Sequence, residues 1–519
     1  MASTAATAAA GSFGEFRPAS HWMTVVGLSL ATFMQVLDLT IANVSLPTIA
    51  GNLGASQDQS TWVITSFTVC NAIALPLTGF LTRRFGEVKP FIVATLLFSL
   101  FSMACGLSTS LGMLVVFRAM QGAMAGPMYP ITQSLMVSLY PGHKRGTALA
   151  MLAMIAIVGP IVGPVLGGWI TETYSWHWIF FINIPVGMFA AAVVASQMRN
   201  RPEHIDKPRV DKVGLVTLIL GVGALQILLD KGNELDWFHS QFIVTLAILA
   251  AVSLSVFLIW EFTDNEPIVN FRLFKHRNFA AGTLAMVLAY AMFFSTSLLV
   301  QLWMQSTLGY TSIWAGIASA PIGIFPILLS FIIGKYATRF DLRWFASFSF
   351  LVIGATCFMR GGFTTQVDLY HVAMVQLIQG LGVAFFFLPI LTILLSDLHG
   401  REVSDGSGLA TFLRSLGGSF AVSIVTYLWE RGGAINHANL AEHINDYSAR
   451  VRDSIALTGG HVRQYALGMN REITRQATQI SFNHLFTALG FIFLALIVVV
   501  WFARPPFIKQ GGPAAASGH

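Results

Sequence analysis

The chain has 519 residues, of which 55% are hydrophobic and only 10% charged, with a mean hydropathy of +0.68, against roughly 25% charged residues in a soluble domain. That composition excludes a soluble enzyme or scaffold and points to an integral membrane protein. The net charge of +6 does not indicate a nucleic-acid partner, because the basic residues are scattered along short connections and form no patch.

Residues 1–21 have no basic start leading into an apolar core, so they read as a tail and not as a cleaved signal. Apolar windows of about 20 residues, enough to cross about 30 Å of hydrocarbon, follow near 22–46, 59–80, 88–107, 111–137, 146–169, 176–196, 212–230, 240–262, 279–302, 312–334, 343–362, 370–395, 404–429 and 482–503. They predict fourteen helices with both termini on one side. Twenty Lys and Arg residues, from Arg17 to Lys509, fall in the two tails and the even-numbered turns, against Lys231 and Arg360 alone in the opposite short turns. The bias puts the termini in the cytoplasm. Six arginines in the long outer loop 430–481 run against it, but the rule weakens as translocated loops lengthen.

The chain repeats itself. "RAMQGAMAGPMYP" (118–130) and "QLIQGLGVAFFFLP" (376–389) share a Gln-Gly pair 258 residues apart, with Arg118 matched by Gln376. "GFLTRRF" (79–85) resembles "GKYATRF" (334–340). The expected fold is therefore all-α and membrane-embedded, with six-helix halves at 22–196 and 279–503, as in transporters built from parallel repeats. An inserted hairpin, 212–262, sits between a linker at 197–211 and a connection at 263–278, and residues 504–519 form a second tail. The basic linker "RNRPEHIDKPRVDK" (199–212) reads as a solvated segment near anionic lipid. Cys70, Cys105 and Cys357 lie in apolar runs without paired spacing, which supports neither a disulfide framework nor a metal site.

Within the first window, Asp38 is the only charge, and a carboxylate at the bilayer centre costs at least about 2.5–3.5 kcal/mol. At 100° per residue Gly27, Ala31, Gln35, Asp38, Ala42 and Ser45 share a small, polar stripe that turns Asp38 away from lipid. Arg118 lies at a similar depth in the fourth helix, which permits pairing. Two readings follow: a carboxylate that gains and loses a proton as the protein opens to either side, or a permanent ion pair that fixes helix register. In the fifth helix Gly159, Pro160, Gly163, Pro164, Gly167 and Gly168 recur at four-residue spacing, which suits a hinge or a tight seam between the halves. Arg414 in the thirteenth helix is a third buried charge, able to meet an anionic substrate group, to neutralise an acid or to serve structure. Gln35, Asn43, Asn71, Gln121, Gln376 and Gln379 are further candidates for a substrate cavity.

No HExxH, GxSxG or phosphate-cradling loop is present, so the chain is not expected to be an enzyme. Without a soluble nucleotide domain, energy has to come from an ion gradient, and a lone carboxylate without an oxygen cage favours protons over sodium.

On "LDLTIANVSLP" (37–47), "GFLTRRFGEVK" (79–89), "LVVFRAMQGAMAG" (114–126) and "GPIVGPVLGG" (159–168), the chain resembles the major facilitator superfamily in its fourteen-helix drug:proton antiporter branch. "TIAGNLG" (48–54), "TWVITSF" (61–67), "WIFFINIPVG" (178–187), "LDKGNELDWF" (229–238) and "WFARPPF" (501–507) narrow the likeness to inner-membrane pumps of tripartite efflux systems. The resemblance implies proton-driven export of hydrophobic and amphipathic toxic compounds (drugs, detergents, uncouplers, fatty acids) with no cofactor. It makes Asp38 and Arg118 the coupling pair and the fifth-helix glycines the antiporter bend. It also implies a Gram-negative inner membrane, a periplasmic adaptor of the membrane-fusion type and a TolC-like outer-membrane channel, with the outer loop as a surface for the adaptor. The alternative is a dedicated exporter of one metabolite or siderophore. One departure stands out: Arg83 and Glu87 exchange the acid and base that the superfamily's gate loop usually carries.

Overall fold

The computed structural model describes residues 18–140, 145–203, 205, 211–264, 267–336, 340–398, 402–442 and 462–507. Most of both tails (1–17 and 508–519), the middle of the outer loop and the basic residues Arg17, Lys144, Lys207, Arg209, Arg339, Arg401 and Lys509 lie outside it. The first half holds α1 (His21–Asn52), α2 in two pieces (Trp62–Ala74 and Thr78–Phe85), α3 (Val88–Gly106), α4 (Leu111–Leu139), α5 (Arg145–Thr173) and α6 (Trp178–Phe181 and Asn183–Met198). The hairpin is α7 (Lys212–Lys231) and α8 (Gln241–Thr263). The second half holds α9 (Arg277–Ser306), α10 (Ser312–Ser319 and Ile324–Tyr336), α11 (Leu342–Gly361), α12 (Leu369–Ala384 and Phe387–Leu395), α13 (Glu402–Glu442) and α14 (Val462–Val500). Among the described residues there is no strand.

Eleven of these helices are long and apolar enough to cross a membrane, twelve with α2 taken as one bent span. α4 and α5, at 29 residues each, make the count compatible with fourteen. Side-chain caps set several starts: Ser110 accepts from the Met113 amide, Asp211 from Gly214 and Asp368 from His371, each satisfying a donor that the first helical turn leaves open. Pro76 stands in the break that bends α2 by 55°, and Pro321 stands in the 3₁₀ turn that interrupts α10.

The packing repeats. α1 packs on α5 and α6, α2 on α4, and α3 on α4 and α6; eight helices later α9 packs on α13 and α14, α10 on α12, and α11 on α12 and α14. The halves meet through α2 with α13 and α5 with α10, and through α4 with α13 and α5 with α12. Exchanging the halves turns each of these pairs into its mate, as a two-fold axis along the bundle requires. α7 lies against both α2 and α13, and α8 packs on α7. The most apolar stretch of α8 is only 22% buried, which suits a helix that faces lipid.

Several expectations need correction. Arg360 is not in a turn: it lies inside α11, 1% exposed, and Lys231 closes α7 at 3% exposed, its ammonium held by Glu234 at 2.5 Å and by Thr61. The outer loop is mostly helix. α13 runs to Glu442 and α14 starts at Val462, so α13, at 41 residues, is roughly 60 Å long and outruns the hydrocarbon. The two extensions pack together, Trp429 Nε1 donating to the Thr478 carbonyl at 3.1 Å and Ser481 Oγ to the Trp429 carbonyl at 2.8 Å. The start of the basic linker is docked, not solvated: Arg201 pairs with Glu87 at 2.7 Å, and Glu203 accepts from the amides of Glu87 and Val88. Arg83 donates to the Pro267 carbonyl, so the exchanged charges of the gate loop have partners of their own.

Candidate functional site

Asp38 lies in the middle of α1 with no exposure, and the structure brings Arg118 of α4 to it at 2.5 Å, also fully buried. The carboxylate meets only donors. Arg118 Nη1 bonds Oδ2, while Gln121 Nε2 and Asn183 Nδ2 bond Oδ1 at 3.1 and 2.7 Å. Asn183, at the start of the longer piece of α6, is held in turn by Ser102 of α3 at 2.9 Å, and Ser102 donates to the Phe180 carbonyl. Arg118 has further support of its own. Its Nε donates to the Val63 carbonyl at 3.2 Å, its Nη1 to Gln121 Oε1 at 2.9 Å, and its guanidinium sits 4.2 Å from the Phe67 ring centre and 5.7 Å from that of Phe180. Such faces attract cations most where water is excluded.

Sequence reasoning missed Asn183 and Ser102. Their signal was weak but present: Asn183 is the one amide in "FFINIPVG", and a polar group in such a run needs a partner.

The glycine stripe of α5 does not form the seam between halves that its spacing suggested. A Cβ on Gly159 would meet Val36 at 2.5 Å, one on Gly163 would strike Thr40, and one on Gly167 would meet Ile41 Cγ1 at 2.7 Å and its carbonyl at 2.9 Å. All three partners are on α1, inside the first half, and flank the turn that carries Asp38. Only Gly168 also faces the other half, at Ile313 of α10. The side chains of Pro160 and Pro164 lie outside the described residues.

The remaining amides are dispersed. Gln121 belongs to the ion-pair cluster. Gln376 and Gln379 hold Arg360, at 2.9 and 2.6 Å, so the second half draws its buried arginine from α11 and not from the α12 position matching Arg118. Arg360 has no acid in contact among the described residues, and its Nε and Nη1 are buried without a hydrogen-bond partner. Gln35 and Asn71 each bury an unpartnered carbonyl oxygen, and Asn43 is exposed. Of the seven expected cavity residues, Arg414 alone lines the narrow, partly open cavity between α4, α9, α12 and α13, whose volume is about 10 Å³. Its wall is apolar at Met286, Phe387 and Leu391 and polar at Gln133, Ser407 and Arg414. Among the described residues no cluster of His, Cys, Asp or Glu could hold a metal.

Two repeated halves around a central cavity, with a buried acid and base in one of them, define a multi-pass membrane transporter and not an enzyme. Residues 28–422 match the Major Facilitator Superfamily, and the chain belongs to that superfamily. It is 47% identical over 496 residues to the multidrug export protein EmrB of Escherichia coli (strain K12), covering 95% of this chain and 97% of that protein. It is 46% identical over 498 residues to the fatty acid resistance protein FarB of Neisseria gonorrhoeae, with the same coverage of each. Among solved structures, the human organic anion transporter MFSD10 (TETRAN) covers 91% of this chain and 99% of its own, with a TM-score of 0.57 at 12% identity, a likeness of fold alone.

Proposed function

We propose that this chain is a proton-driven antiporter that exports hydrophobic and amphipathic toxic compounds, including drugs, detergents, uncouplers and fatty acids, across a Gram-negative inner membrane. The observation that carries the proposal is the sealed Asp38–Arg118 pair, 2.5 Å apart with no exposure on either side. Both carboxylate oxygens already accept from N–H donors, so a proton on either would meet an N–H and protonation requires the site to open. Arg118 survives that opening because Val63, Gln121 and two aromatic faces still hold it. A carboxylate released in this way can load a proton on one side of the membrane and give it up on the other as the halves rock, driven by the proton gradient with no cofactor. The Gly163 and Gly167 contacts let α5 shift against the α1 turn that bears Asp38.

The printed names of the relatives, multidrug export and fatty acid resistance, support the substrate range. The basic end of the bundle, with Arg83, Arg84, Lys89, Arg199 and Arg201, faces the cytoplasm in this reading, with both termini there. The α13 and α14 extensions then project into the periplasm and offer a helical surface to an adaptor of the membrane-fusion type, which leads to a TolC-like outer-membrane channel. The test is proton release from purified protein on adding drug, comparing the parent with Asp38→Asn. Loss of release in a variant that still folds is expected; unchanged release would move the proton site elsewhere.

A further inference from the structure

The central cavity holds a cation and no carboxylate, and its hydroxyls, Tyr129, Ser407 and Thr411, are neutral. Arg414 lines it, with its guanidinium between the rings of Tyr129 and Tyr290 at 5.1 and 4.8 Å from their centres. No hydrogen bond or ion pair joins it to another described residue. Across the cavity on α4, Gln133 is 1% exposed; its Oε1 accepts from Ser407 at 2.5 Å, which also occupies the hydroxyl proton, while its Nε2 is buried without a partner. No acid lines the wall. A half-buried cation with no acid beside it and a buried amide donor without a partner favour a ligand that brings an acceptor.

The geometry points to an anionic head group, a carboxylate or sulfonate on an apolar body, held by Arg414 and Gln133 as the substrate chemistry this cavity prefers. The inference rests on the reading of the chain as an exporter and narrows it, making Arg414 the residue that sorts substrates by charge. Arg414 lies on α13 in the second half and Gln133 on α4 in the first, so one anion bridging them also ties the halves together at their α4–α13 contact. The apolar wall at Met286, Phe387 and Leu391 takes the hydrophobic body. Tyr129 and Tyr290 hold the guanidinium in place through their ring faces.

Dodecanesulfonate and dodecyltrimethylammonium have the same tail and permanent, opposite charges. Their direct binding to the full chain in lipid nanodiscs tests the inference, with proton release recorded in parallel. The parent is expected to bind the sulfonate about tenfold or more tightly than the ammonium. Arg414→Gln abolishes that preference by weakening sulfonate binding and sparing ammonium binding, which also reports that the variant folds, and Arg414→Lys restores part of it. Equal affinities in the parent, or equal loss of both ligands in Arg414→Gln, overturn the inference. A parent that prefers the sulfonate yet releases no proton leaves it standing and overturns the antiport reading instead.

Discussion

Replacing Arg118 by leucine asks whether the buried pair is a balance that fails from either side. Both partners are fully buried at 2.5 Å, so removing the cation leaves Asp38 with only the amides of Gln121 and Asn183 in a water-free site. Breaking a buried pair from one side costs about 3–5 kcal/mol, and the lost bond to the Val63 carbonyl adds about 1 kcal/mol. Asp38→Asn strands the guanidinium instead, but Val63, Gln121 and the Phe67 ring at 4.2 Å remain, which puts its cost near the lower end, about 3 kcal/mol. The double variant strands no charge. Its destabilisation should fall short of the summed single effects by roughly 2–3 kcal/mol. Thermal unfolding of the four purified proteins in detergent reads this as an order of Tm: parent, Asp38→Asn, then Arg118→Leu and the double variant close together. A double variant whose loss equals the sum of the two singles refutes the reasoning.

Gly167→Val should destabilise the α1–α5 seam by about 1–3 kcal/mol, because its first carbon would already lie 2.7 and 2.9 Å from Ile41. Gly168→Ala meets nothing closer than 3.5 Å and should leave both Tm and transport unchanged. Arg360→Met should lower Tm by less than Arg118→Leu, since it removes a buried cation with two unpartnered nitrogens and strands no acid among the described residues, only the Gln376 and Gln379 carbonyl oxygens. A fall in Tm as large as that of Arg118→Leu would show that an anion sits at Arg360.

Depth along a helix was enough to match Asp38 with Arg118, because both positions are set by counting residues from a window's end at 1.5 Å each. Direction and partner were not legible. Four-residue spacing says that the α5 glycines admit a close neighbour, but nothing in it names Val36, Thr40 and Ile41 as that neighbour. Arg360 was misplaced because a charge near the end of an apolar window reads as emerging into water, whereas that arginine is buried in the last turn of α11 and packs against Gln376, Gln379 and the Phe486 ring. α13 and α14 were cut short for a related reason: hydropathy marks where hydrocarbon ends, and a helix whose neighbour supports it does not stop there. Asn183 and Ser102 escaped because their value lies in geometry across three helices, which no single segment displays.

The inserted hairpin breaks the symmetry of the two seams. Exchanging the halves interchanges the α2–α13 seam with the α5–α10 seam, yet α7 lies on the first only, and it is bonded to both sides of it. On α2, Thr68 donates to Asp230 at 3.1 Å; on α13, Ser419 accepts from Gln226 at 2.9 Å and Ser423 donates to the Leu229 carbonyl at 2.8 Å. Gln226 also donates to Asp230 at 2.9 Å, so the attachments to the two halves run through one hydrogen-bonded chain. A rigid rocking of one half against the other cannot keep all of these bonds, because α2 and α13 belong to different halves. Under such a rocking α7 would have to follow one half and release the other. α7 holds α2 through the Thr68–Asp230 and Thr61–Lys231 bonds and α13 through the Ser419–Gln226 and Ser423–Leu229 bonds, so one of these two pairs has to open when the halves move apart.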